Sequence, residues 1–324
     1  MKVLVTGGAG YIGAHAVLGL MEVGHSPIVL DNFSTGIRTA LPKGIPVIEG
    51  NVGDPELVDR ILTGHSVEAV MHFAASVVAP DSVTEPLKYY RNNTVNTVAL
   101  IESCVKNGVL KFIFSSTAAV YGNLSAIPIG EEAPLSPISP YGASKLMIER
   151  IIRDAGAAHA LRSVILRYFN VAGADIAGRT GQSTPQATHL IKVACQTALK
   201  RRPQIEVFGT DYPTPDGTGI RDYIHVSDLI GAHILALQYL ENGGEDIILN
   251  CGYGHGYSVR EVLSAVERVT ATPLPVRMAP RRPGDPASIV ASTTRIREVF
   301  GWQPQHDNLD VIVRTALEWE QRLN

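Results

Sequence analysis

The first half of the chain alternates between short apolar runs rich in β-branched residues and longer segments with helical spacing. The runs that predict buried strands lie at residues 2–6, 27–31, 46–50, 69–73, 111–115 and 163–167. Helical patterns such as 13–23 and 55–62 fall between them. Buried strands that alternate with helices form a parallel sheet covered on both faces. The pattern therefore predicts an α/β fold with a doubly wound parallel sheet.

The sequence after about residue 172 is less regular. Loops rich in proline and glycine separate helical patterns near 188–201, 227–242, 258–270 and 309–323. We predict two domains, 1–172 and a smaller C-terminal α+β domain, 173–324, whose loops face a cleft. The strand pattern at 248–252 leaves open a return of about 222–252 to the first domain.

The composition argues against several functional classes. The chain has 324 residues and a net charge of -3, so a nucleic-acid partner is not indicated. Its three cysteines lie far apart, which argues against a disulfide framework or a metal site. The N-terminal MKVLVTGG reaches glycine too soon for a signal peptide, and no apolar run approaches a membrane span. These features predict a cytoplasmic protein without metal or membrane partners.

A glycine-rich turn, TGGAGYIG at residues 6–13, follows the first strand and opens the first helix. Gly7, Gly10 and Gly13 have the spacing of a dinucleotide-binding turn. Glycine allows the tight turn, the close approach of a pyrophosphate and the packing of helix on strand. The helix N-terminus offers free N–H groups to phosphates. We therefore predict a Rossmann-type domain that binds a dinucleotide.

An acidic residue, Asp31, ends the second predicted strand, PIVLD. A carboxylate at this position accepts hydrogen bonds from the adenosine ribose hydroxyls and repels a 2′-phosphate. The sequence therefore predicts NAD rather than NADP as the cofactor.

The segment SPYGASK, residues 139–145, places Tyr141 and Lys145 one helical turn apart behind a proline. Alone, this is also an ordinary helix start. The preceding strand ends in Ser115, Ser116 and Thr117, and strand C-termini are where such a sheet places its ligand. A lysine ammonium and a positive nicotinamide can stabilise the phenolate of a tyrosine base. We predict Tyr141, Lys145 and Thr117 as catalytic residues.

These motifs carry a resemblance over nearly the whole chain. The sequence resembles the extended short-chain dehydrogenase/reductase family, and within it the UDP-galactose (UDP-glucose) 4-epimerases. The segments that carry it are LVTGGAGYIG, HFAAS, YYRNN, FIFSSTAAVYG, SPYGASK, LRYFNVAGA, GTDYPTPDGTGIRDYIHVSDL and APRRPGDP.

The resemblance implies two sets of ligand contacts. NAD would be contacted by Gly7, Gly10, Tyr11, Ile12, Gly13, Asp31, Asn32, Ser34, Thr35, Asn51, Val52, Phe73, Ala74, Ala75, Asn92 and Phe169. The nucleotide sugar would be held by Asn170, His189, Arg221, Arg282 and Asp285. Two arginines suit a diphosphate, since charge-assisted hydrogen bonds contribute about 1.5–3 kcal/mol each. Without the resemblance, these arginines would be read as solvated loop charges.

The sequence departs from the family pattern at several of these positions. Asn51 replaces an aspartate that contacts the adenine amino group, and its amide oxygen can still accept. Thr117 replaces a more usual serine and keeps the hydroxyl. Val77 stands where some members carry lysine, and His189 stands where many carry asparagine. The last two changes affect individual phosphate contacts rather than the chemistry.

The resemblance also implies a reaction. Relatives on this scaffold oxidise C4 of a nucleotide sugar, and dehydratases among them carry an Asp-Glu pair directly after the strand-end threonine. This chain has Ala118 and Ala119 there, which disfavours elimination. The implied activity is the interconversion of UDP-galactose and UDP-glucose by C4 epimerisation, through a transient 4-keto intermediate and with bound NAD as hydride carrier.

Two alternatives remain open from the sequence. Another UDP-sugar could be epimerised, either a UDP-N-acetylhexosamine or a UDP-pentose. A non-catalytic NAD-sensing protein could share the fold, although such proteins can lose the tyrosine–lysine pair that this chain keeps. The resemblance further implies a homodimer, with the helices at 83–106 and 141–155 at the interface.

Overall fold

The computed structural model describes residues 1–124, 126–184, 188–282 and 285–323. The chain divides into two compact units. The first comprises Met1–Gly122, Ala133–Tyr168 and Ile230–Leu249. The second comprises Asn123–Glu132, Phe169–Leu229 and the chain from Asn250 onward. Across the described residues, no helix is both long and apolar enough to cross a membrane.

The strands are β1 Lys2–Thr6, β2 Ser26–Asp31, β3 Val47–Glu49, β4 Ala69–His72, β5 Lys111–Thr117, β6 Arg162–Tyr168, β7 Asn170–Ala172, β8 Ile205–Phe208, β9 Ile220–Arg221, β10 Tyr223–His225, β11 Ile247–Cys251, β12 Tyr257–Ser258, β13 Val276–Ala279 and β14 Ser288–Ile289. The α-helices are α1 Tyr11–Glu22, α2 Pro55–Gly64, α3 Ala79–Thr84, α4 Pro86–Tyr89, α5 Asn96–Lys106, α6 Pro140–His159, α7 Leu190–Ala198, α8 Val226–Glu241, α9 Val259–Thr270, α10 Thr294–Phe300 and α11 Leu309–Arg322. A π-helical segment, Tyr90–Val95, joins α4 to α5, and a 3-10 turn, Ala118–Val120, follows β5.

The first unit is built on a seven-stranded sheet in the order β11-β6-β5-β4-β1-β2-β3. The pairings from β3 through β6 are all parallel. The predicted doubly wound parallel sheet is therefore confirmed. The strand order reverses between β1 and β4, and ligands of such sheets bind at this point, beyond the strand C-termini.

The core of the first unit explains why its strands read as continuous apolar runs. Leu4, Val70 and Phe112, from three neighbouring strands, are fully buried and pack with Leu100 of α5 and Ile148 of α6. A sheet covered by helices on both faces buries alternate residues of a strand on opposite sides. Polar residues stand at the C-termini of β1, β4 and β5, and they form the edge of the sheet at which the candidate site lies.

The second unit contains small sheets and a helical cluster. Strand β7 pairs in parallel with β10, and β8 pairs in parallel with β13. Strand β9 lies between β12 and β14. Helices α7, α9 and α11 pack against one another. This is the α+β texture that the proline- and glycine-rich sequence predicts.

The division of the chain differs from the predicted boundary at residue 172 in two places. Residues 169–172 belong to the second unit, where β7 pairs with β10. Residues 123–132 also belong there, because Ile129 is hydrogen-bonded as a short strand to Val290 and Ser292 and accepts a bond from the Asn250 side chain. Residues 230–249 lie in the first unit, inside the range that the sequence left open.

Candidate active site

The glycine turn between β1 and α1 is as tight as its sequence predicts. Gly7 has a positive φ of 67°, and a Cβ there would lie 2.6 Å from the Ala74 amide nitrogen. A Cβ at Gly13 would lie 2.2 Å from the Gly7 carbonyl oxygen. Within residues 1–124, α1 has no side-chain N-cap at Gly10 and no acidic residue in its first turn. A helix start without a side-chain cap or a carboxylate suits an anion.

Asp31 ends β2 beside this turn. It is buried, and its carboxylate accepts from the backbone amides of Ala9, at 2.9 Å, and Phe33, at 2.8 Å. The exposed residues that follow include Asn32, whose side-chain oxygen accepts from the Ser34 amide at 3.0 Å. The two amide bonds fix the orientation of the carboxylate and leave it with acceptor capacity for hydroxyl groups.

The side-chain oxygen of Asn51 is engaged within the chain. It accepts from the Gly53 amide at 2.8 Å and from the Asn96 side chain at 3.1 Å. A carbonyl oxygen has two lone pairs, so these two donors occupy both. The side-chain oxygen that the sequence offers to adenine is thus already satisfied in this structure.

The π-helical segment Tyr90–Val95 is hydrogen-bonded both to the loop after β4 and to helix α6. Asn92, which the family resemblance assigns to the cofactor, donates to Ser76 Oγ at 3.0 Å. Asn93, which the sequence reasoning did not single out, accepts from the Ser76 amide and donates to Ser144 Oγ at 3.1 Å. Single π turns often occur at functional sites. Here the turn ties the strand-end loop to the helix that carries Tyr141.

Tyr141 begins α6 in the way its sequence predicts. Ser139 caps the helix by accepting from the Gly142 amide at 3.2 Å, and Pro140 occupies the first turn. The Tyr141 ring is buried. Burial raises the pKa of Tyr141 to about 12, while a hydrogen bond with the Thr117 side chain opposes the rise. Thr117, at the end of β5, therefore acts on the Tyr141 phenol.

Lys145 lies one turn further along α6 and is 2% exposed. Its ammonium donates to the Ser115 carbonyl at 2.9 Å and lies 4.8 Å from the centre of the Phe114 ring. Burial lowers the pKa of Lys145 to about 7, and Glu149 opposes this. The sequence predicts that this ammonium lowers the pKa of Tyr141, whereas burial dominates both groups in the structure.

A buried ion pair behind Lys145 escaped the sequence reasoning. Glu149, one turn after Lys145, pairs with Arg167 of β6 at 2.6 Å, and both side chains are almost completely buried. The carboxylate also accepts from Ser116 Oγ, and Arg167 donates to the Tyr121 hydroxyl at 3.0 Å. Residues 18 positions apart on a helix and a strand give no local signal. Only the packing of α6 on the sheet brings them together.

The remaining polar residues of the strand ends have structural partners. His72 bonds to Thr6 and Thr97 through its two ring nitrogens, at 2.6 and 2.8 Å. Burial lowers the pKa of His72 to about 3, so the ring is neutral. Ser115 Oγ is bonded to His233 at 2.9 Å. These groups fix the sheet edge, and Thr117 is the strand-end hydroxyl that contacts Tyr141.

In the second unit, the predicted substrate residues fall into two groups. Arg221 of β9 pairs with Asp285 at 3.1 Å, and the Arg282 guanidinium lies 3.8 Å from the centre of the Phe208 ring. Pro283 and Gly284 of the APRRPGDP motif lie outside the described residues. The first group thus gathers two arginines and an aspartate around the ends of β8 and β9.

The second group, Asn170 and His189, lines a small cavity of about 30 Å³ together with Tyr223, Lys192 and Glu320. His189 is exposed and hydrogen-bonded to Gln182 at 2.5 Å. Lys192 pairs with Glu320 at 2.6 Å behind it. The structure therefore brings Asn170 and His189 to one cavity, with a buried charge pair in its wall.

Comparison with known proteins gives full-length matches. The model of the NAD dependent epimerase/dehydratase family matches residues 3–252. The UDP-glucose 4-epimerase of Azospirillum brasilense is 60% identical over 99% of this chain and 92% of its own. The UDP-glucose 4-epimerase of Bifidobacterium longum, solved with NAD+ and UDP, is 36% identical with a TM-score of 0.94 over 99% and 98% of the two chains.

A third match differs in substrate range. The UDP-Glc/GlcNAc 4-epimerase of Campylobacter jejuni is 45% identical, with a TM-score of 0.87 over 99% of both chains. The glycine turn, the tyrosine–lysine helix and the whole-chain similarity agree with one another. The chain belongs to the NAD dependent epimerase/dehydratase family.

Proposed function

We propose that this protein interconverts UDP-galactose and UDP-glucose by inverting C4 of the hexose through a transient 4-keto sugar, with NAD as cofactor. The observation that carries the proposal is the buried Tyr141–Lys145 pair of α6, which the bond from Lys145 to the Ser115 carbonyl holds at the end of β5. The chain that carries this pair is 60% identical to a UDP-glucose 4-epimerase. A buried tyrosine beside a lysine and a strand-end hydroxyl is suited to remove a proton from a sugar hydroxyl.

The first unit fits NAD. The uncapped first turn of α1 would bind the pyrophosphate, because its amides and the helix dipole attract negative charge. Gly7 and Gly13 allow the backbone to approach closely, since no side chain fits at either position. Asp31, oriented by two backbone amides, would accept from the adenosine ribose hydroxyls, and a 2′-phosphate would meet its negative charge.

When bound, NAD supplies a hydride acceptor that is regenerated in each turnover, and a positively charged ring. Tyr141 accepts the proton of the C4 hydroxyl and later returns it. Thr117 hydrogen-bonds the phenol and so favours its ionised form. Lys145, held against the Ser115 carbonyl, contributes positive charge to the same end of the sheet when it is protonated. These roles oppose the effect of burial, which by itself favours the neutral phenol.

The residues after Thr117 disfavour a dehydratase. Ala118, Ala119 and Val120 form the 3-10 turn that follows β5, and none of them can donate or accept a proton through its side chain. Elimination from a 4-keto sugar needs an acid and a base at neighbouring carbons. Without such an acid and base, the keto-sugar is reduced again. The configuration at C4 is inverted if the sugar has first rotated to present its opposite face.

We assign the nucleotide part of the substrate to the second unit. Arg221 and Arg282 would bind the diphosphate, with Asp285 holding Arg221 in place. Asn170 and His189 would contact the same ligand from the neighbouring cavity. Phe169 follows β6 directly, and the family resemblance assigns it to the cofactor. Guanidinium groups suit phosphate oxygens because they present several donors in one plane.

A second candidate substrate class is UDP-N-acetylhexosamine. It is favoured by the 45% identity to the Campylobacter jejuni enzyme, which is described as acting on both UDP-Glc and UDP-GlcNAc. Turnover of the purified protein on a panel of UDP-galactose, UDP-N-acetylgalactosamine and a UDP-pentose decides between them. Protein that carries NAD but converts none of these sugars would contradict an epimerase and favour an NAD-sensing role.

We also propose a cytoplasmic homodimer. The described cysteines, Cys104, Cys195 and Cys251, are all buried and free, as expected in a reducing compartment. Large apolar side chains are exposed on the helices that the family resemblance places at the interface; they are Val83, Leu87, Val95 and Met147. Grouped apolar side chains of this kind typically mark a protein interface. Light scattering on the purified chain gives the oligomeric state directly.

A further inference from the structure

Tyr212 is a buried tyrosine whose hydroxyl has no hydrogen-bond partner among the described residues. The residue is 6% exposed and lies in the turn between β8 and β9. Leaving a buried hydroxyl unsatisfied destabilises a folded protein, and phenylalanine would fill the same space without that cost. Such an exception in a folded chain calls for a physical reason.

The position of the ring is fixed rather than accidental. The Arg281 guanidinium lies 4.2 Å from the ring centre, and a Cβ at Gly209 would lie 2.5 Å from the ring edge. The backbone of Tyr212 is bonded on both sides, its amide to the Gly217 carbonyl at 3.0 Å and its carbonyl to the Thr214 amide at 2.8 Å. The hydroxyl therefore points in a direction set by the fold.

The surroundings of the hydroxyl are charged. Burial raises the pKa of Tyr212; Asp285 acts in the same direction, and Arg221 and Arg281 oppose it. Asp285 already pairs with Arg221, and Arg281 pairs with Asp211 at 2.7 Å. Arginine offers only donors. An anionic oxygen can accept from the Tyr212 hydroxyl and pair with these cations at the same time.

We propose that the Tyr212 hydroxyl donates a hydrogen bond to the diphosphate of the bound nucleotide sugar, beside Arg221. This inference rests on the proposed function, because it takes a UDP-sugar as the ligand of the second unit. The ligand then satisfies a donor that the protein alone leaves unpaired. Tyr212 thus gives up stability of the free protein in favour of substrate affinity.

The test is Tyr212→Phe in the NAD-containing full chain, with UDP as the probe. Titration calorimetry should show UDP affinity reduced about tenfold, which corresponds to about 1.4 kcal/mol. The KM for UDP-galactose should rise by a similar factor while kcat stays close to that of the unaltered chain, because the lost bond is made equally in ground and transition states. The unfolding midpoint without UDP should rise, because an unsatisfied hydroxyl is removed.

Tyr253→Phe is the matched control. Tyr253 is equally buried, but its hydroxyl donates to Asp228 at 2.6 Å and accepts from the His225 amide at 3.0 Å. This variant should lose stability and keep its affinity for UDP. Unchanged UDP affinity in Tyr212→Phe would overturn the inference, and so would a lower unfolding midpoint, which would assign the hydroxyl a structural role. If the unaltered chain neither binds UDP nor converts UDP-galactose, the proposed function fails as well.

Discussion

The candidate residues of the two units differ in how the fold holds them. In the first unit, Tyr141 is 8% exposed and Lys145 is 2% exposed, and both project from a long helix that packs on a sheet. In the second unit, Arg221 keeps 15% and Asp285 keeps 37% of its side chain exposed, next to turns. Proton transfer demands fixed geometry away from water, whereas anion binding demands charge that an incoming ligand can reach.

The two regions also differ in how their polar groups are satisfied. Next to Lys145, the Glu149 carboxylate accepts from both Arg167 and Ser116. In the second unit, the buried Tyr212 hydroxyl has no hydrogen-bond partner among the described residues. A network whose polar groups are all hydrogen-bonded within the chain keeps a catalytic group in one position with or without a ligand. A network that leaves a donor unpaired can be completed by a ligand, as we propose for Tyr212. Substitutions in the first region should therefore affect kcat or stability, and those in the second should affect KM.

Tyr141→Phe should give the largest effect on activity. Removal of a general base lowers kcat by about 10²–10⁴-fold, and loss of one oxygen should leave the fold and the NAD content unchanged. The conversion of UDP-galactose to UDP-glucose and the NAD content of the purified variant measure this. Tyr239→Phe is the control, since its hydroxyl accepts from the Glu245 amide at an exposed site on another helix, α8. Tyr141→Phe activity within a few-fold of Tyr239→Phe would exclude Tyr141 as the base.

Glu149→Gln should give the largest effect on stability. It leaves Arg167 as an unpaired buried charge, and breaking a buried ion pair costs about 3–5 kcal/mol. Chemical denaturation compares it with Asp154→Asn on the same helix, where the pair with Arg150 is exposed and should contribute little to stability. Equal midpoints for the two variants would contradict the view that the network behind Lys145 holds the first region closed.

Arg221→Met should affect substrate binding in the second region. It keeps the apolar stem and removes the charge that pairs with Asp285, so the KM for UDP-galactose should rise roughly 10- to 100-fold, as expected for a bond worth about 1.5–3 kcal/mol. The kcat should change little. Arg268→Met removes an arginine that is exposed and paired with Asp310, and should leave KM unchanged. A similar KM for both variants would show that Arg221 is a solvated charge.

The same contrast decides what the sequence could predict. The sheet, the glycine turn and the Tyr141–Lys145 helix follow from local patterns, because strand burial, helix capping and i,i+4 spacing are properties of neighbouring residues. The Glu149–Arg167 pair and the Asn93 bonds are formed between segments distant in sequence. Residues 123–132 read as a loop of the first domain, yet Ile129 joins the second unit through hydrogen bonds to Val290 and Ser292.

The pKa values were the least accessible to the sequence. Charge pairing alone predicts that Lys145 lowers the pKa of Tyr141. Burial acts on both groups as well: it raises the pKa of Tyr141 and lowers that of Lys145, and desolvation depends on packing from all sides. The unpaired Tyr212 hydroxyl likewise has no sequence signal, since the same motif could have bonded it within the chain.

The last prediction is a pH dependence of stability that belongs to Lys145. Burial lowers its pKa from 10.5 to about 7, so between these values the unfolded chain binds a proton that the folded chain does not. The free energy of unfolding should therefore increase with pH across this window, by at most about 1.4 kcal/mol per pH unit. Below about pH 7 the lysine is charged in both states, and the full cost of burying its charge lowers the stability of the fold. Lys145→Met has no titrating group and should lack this increase.

Thermal unfolding at pH 7 and pH 9, on protein of matched nucleotide content, measures the difference. The unfolding midpoint of the unaltered chain, relative to that of Lys145→Met, should be higher at pH 9 than at pH 7. The variant lacks the bond to Ser115 at both pH values, so the comparison is made on the change with pH rather than on the midpoints themselves. Lys106→Met is the control, since that lysine is exposed and pairs with Asp59 at the surface. If the three proteins change in parallel with pH, Lys145 keeps its charge in the folded state. Water would then solvate the Lys145 ammonium more than its low exposed fraction implies.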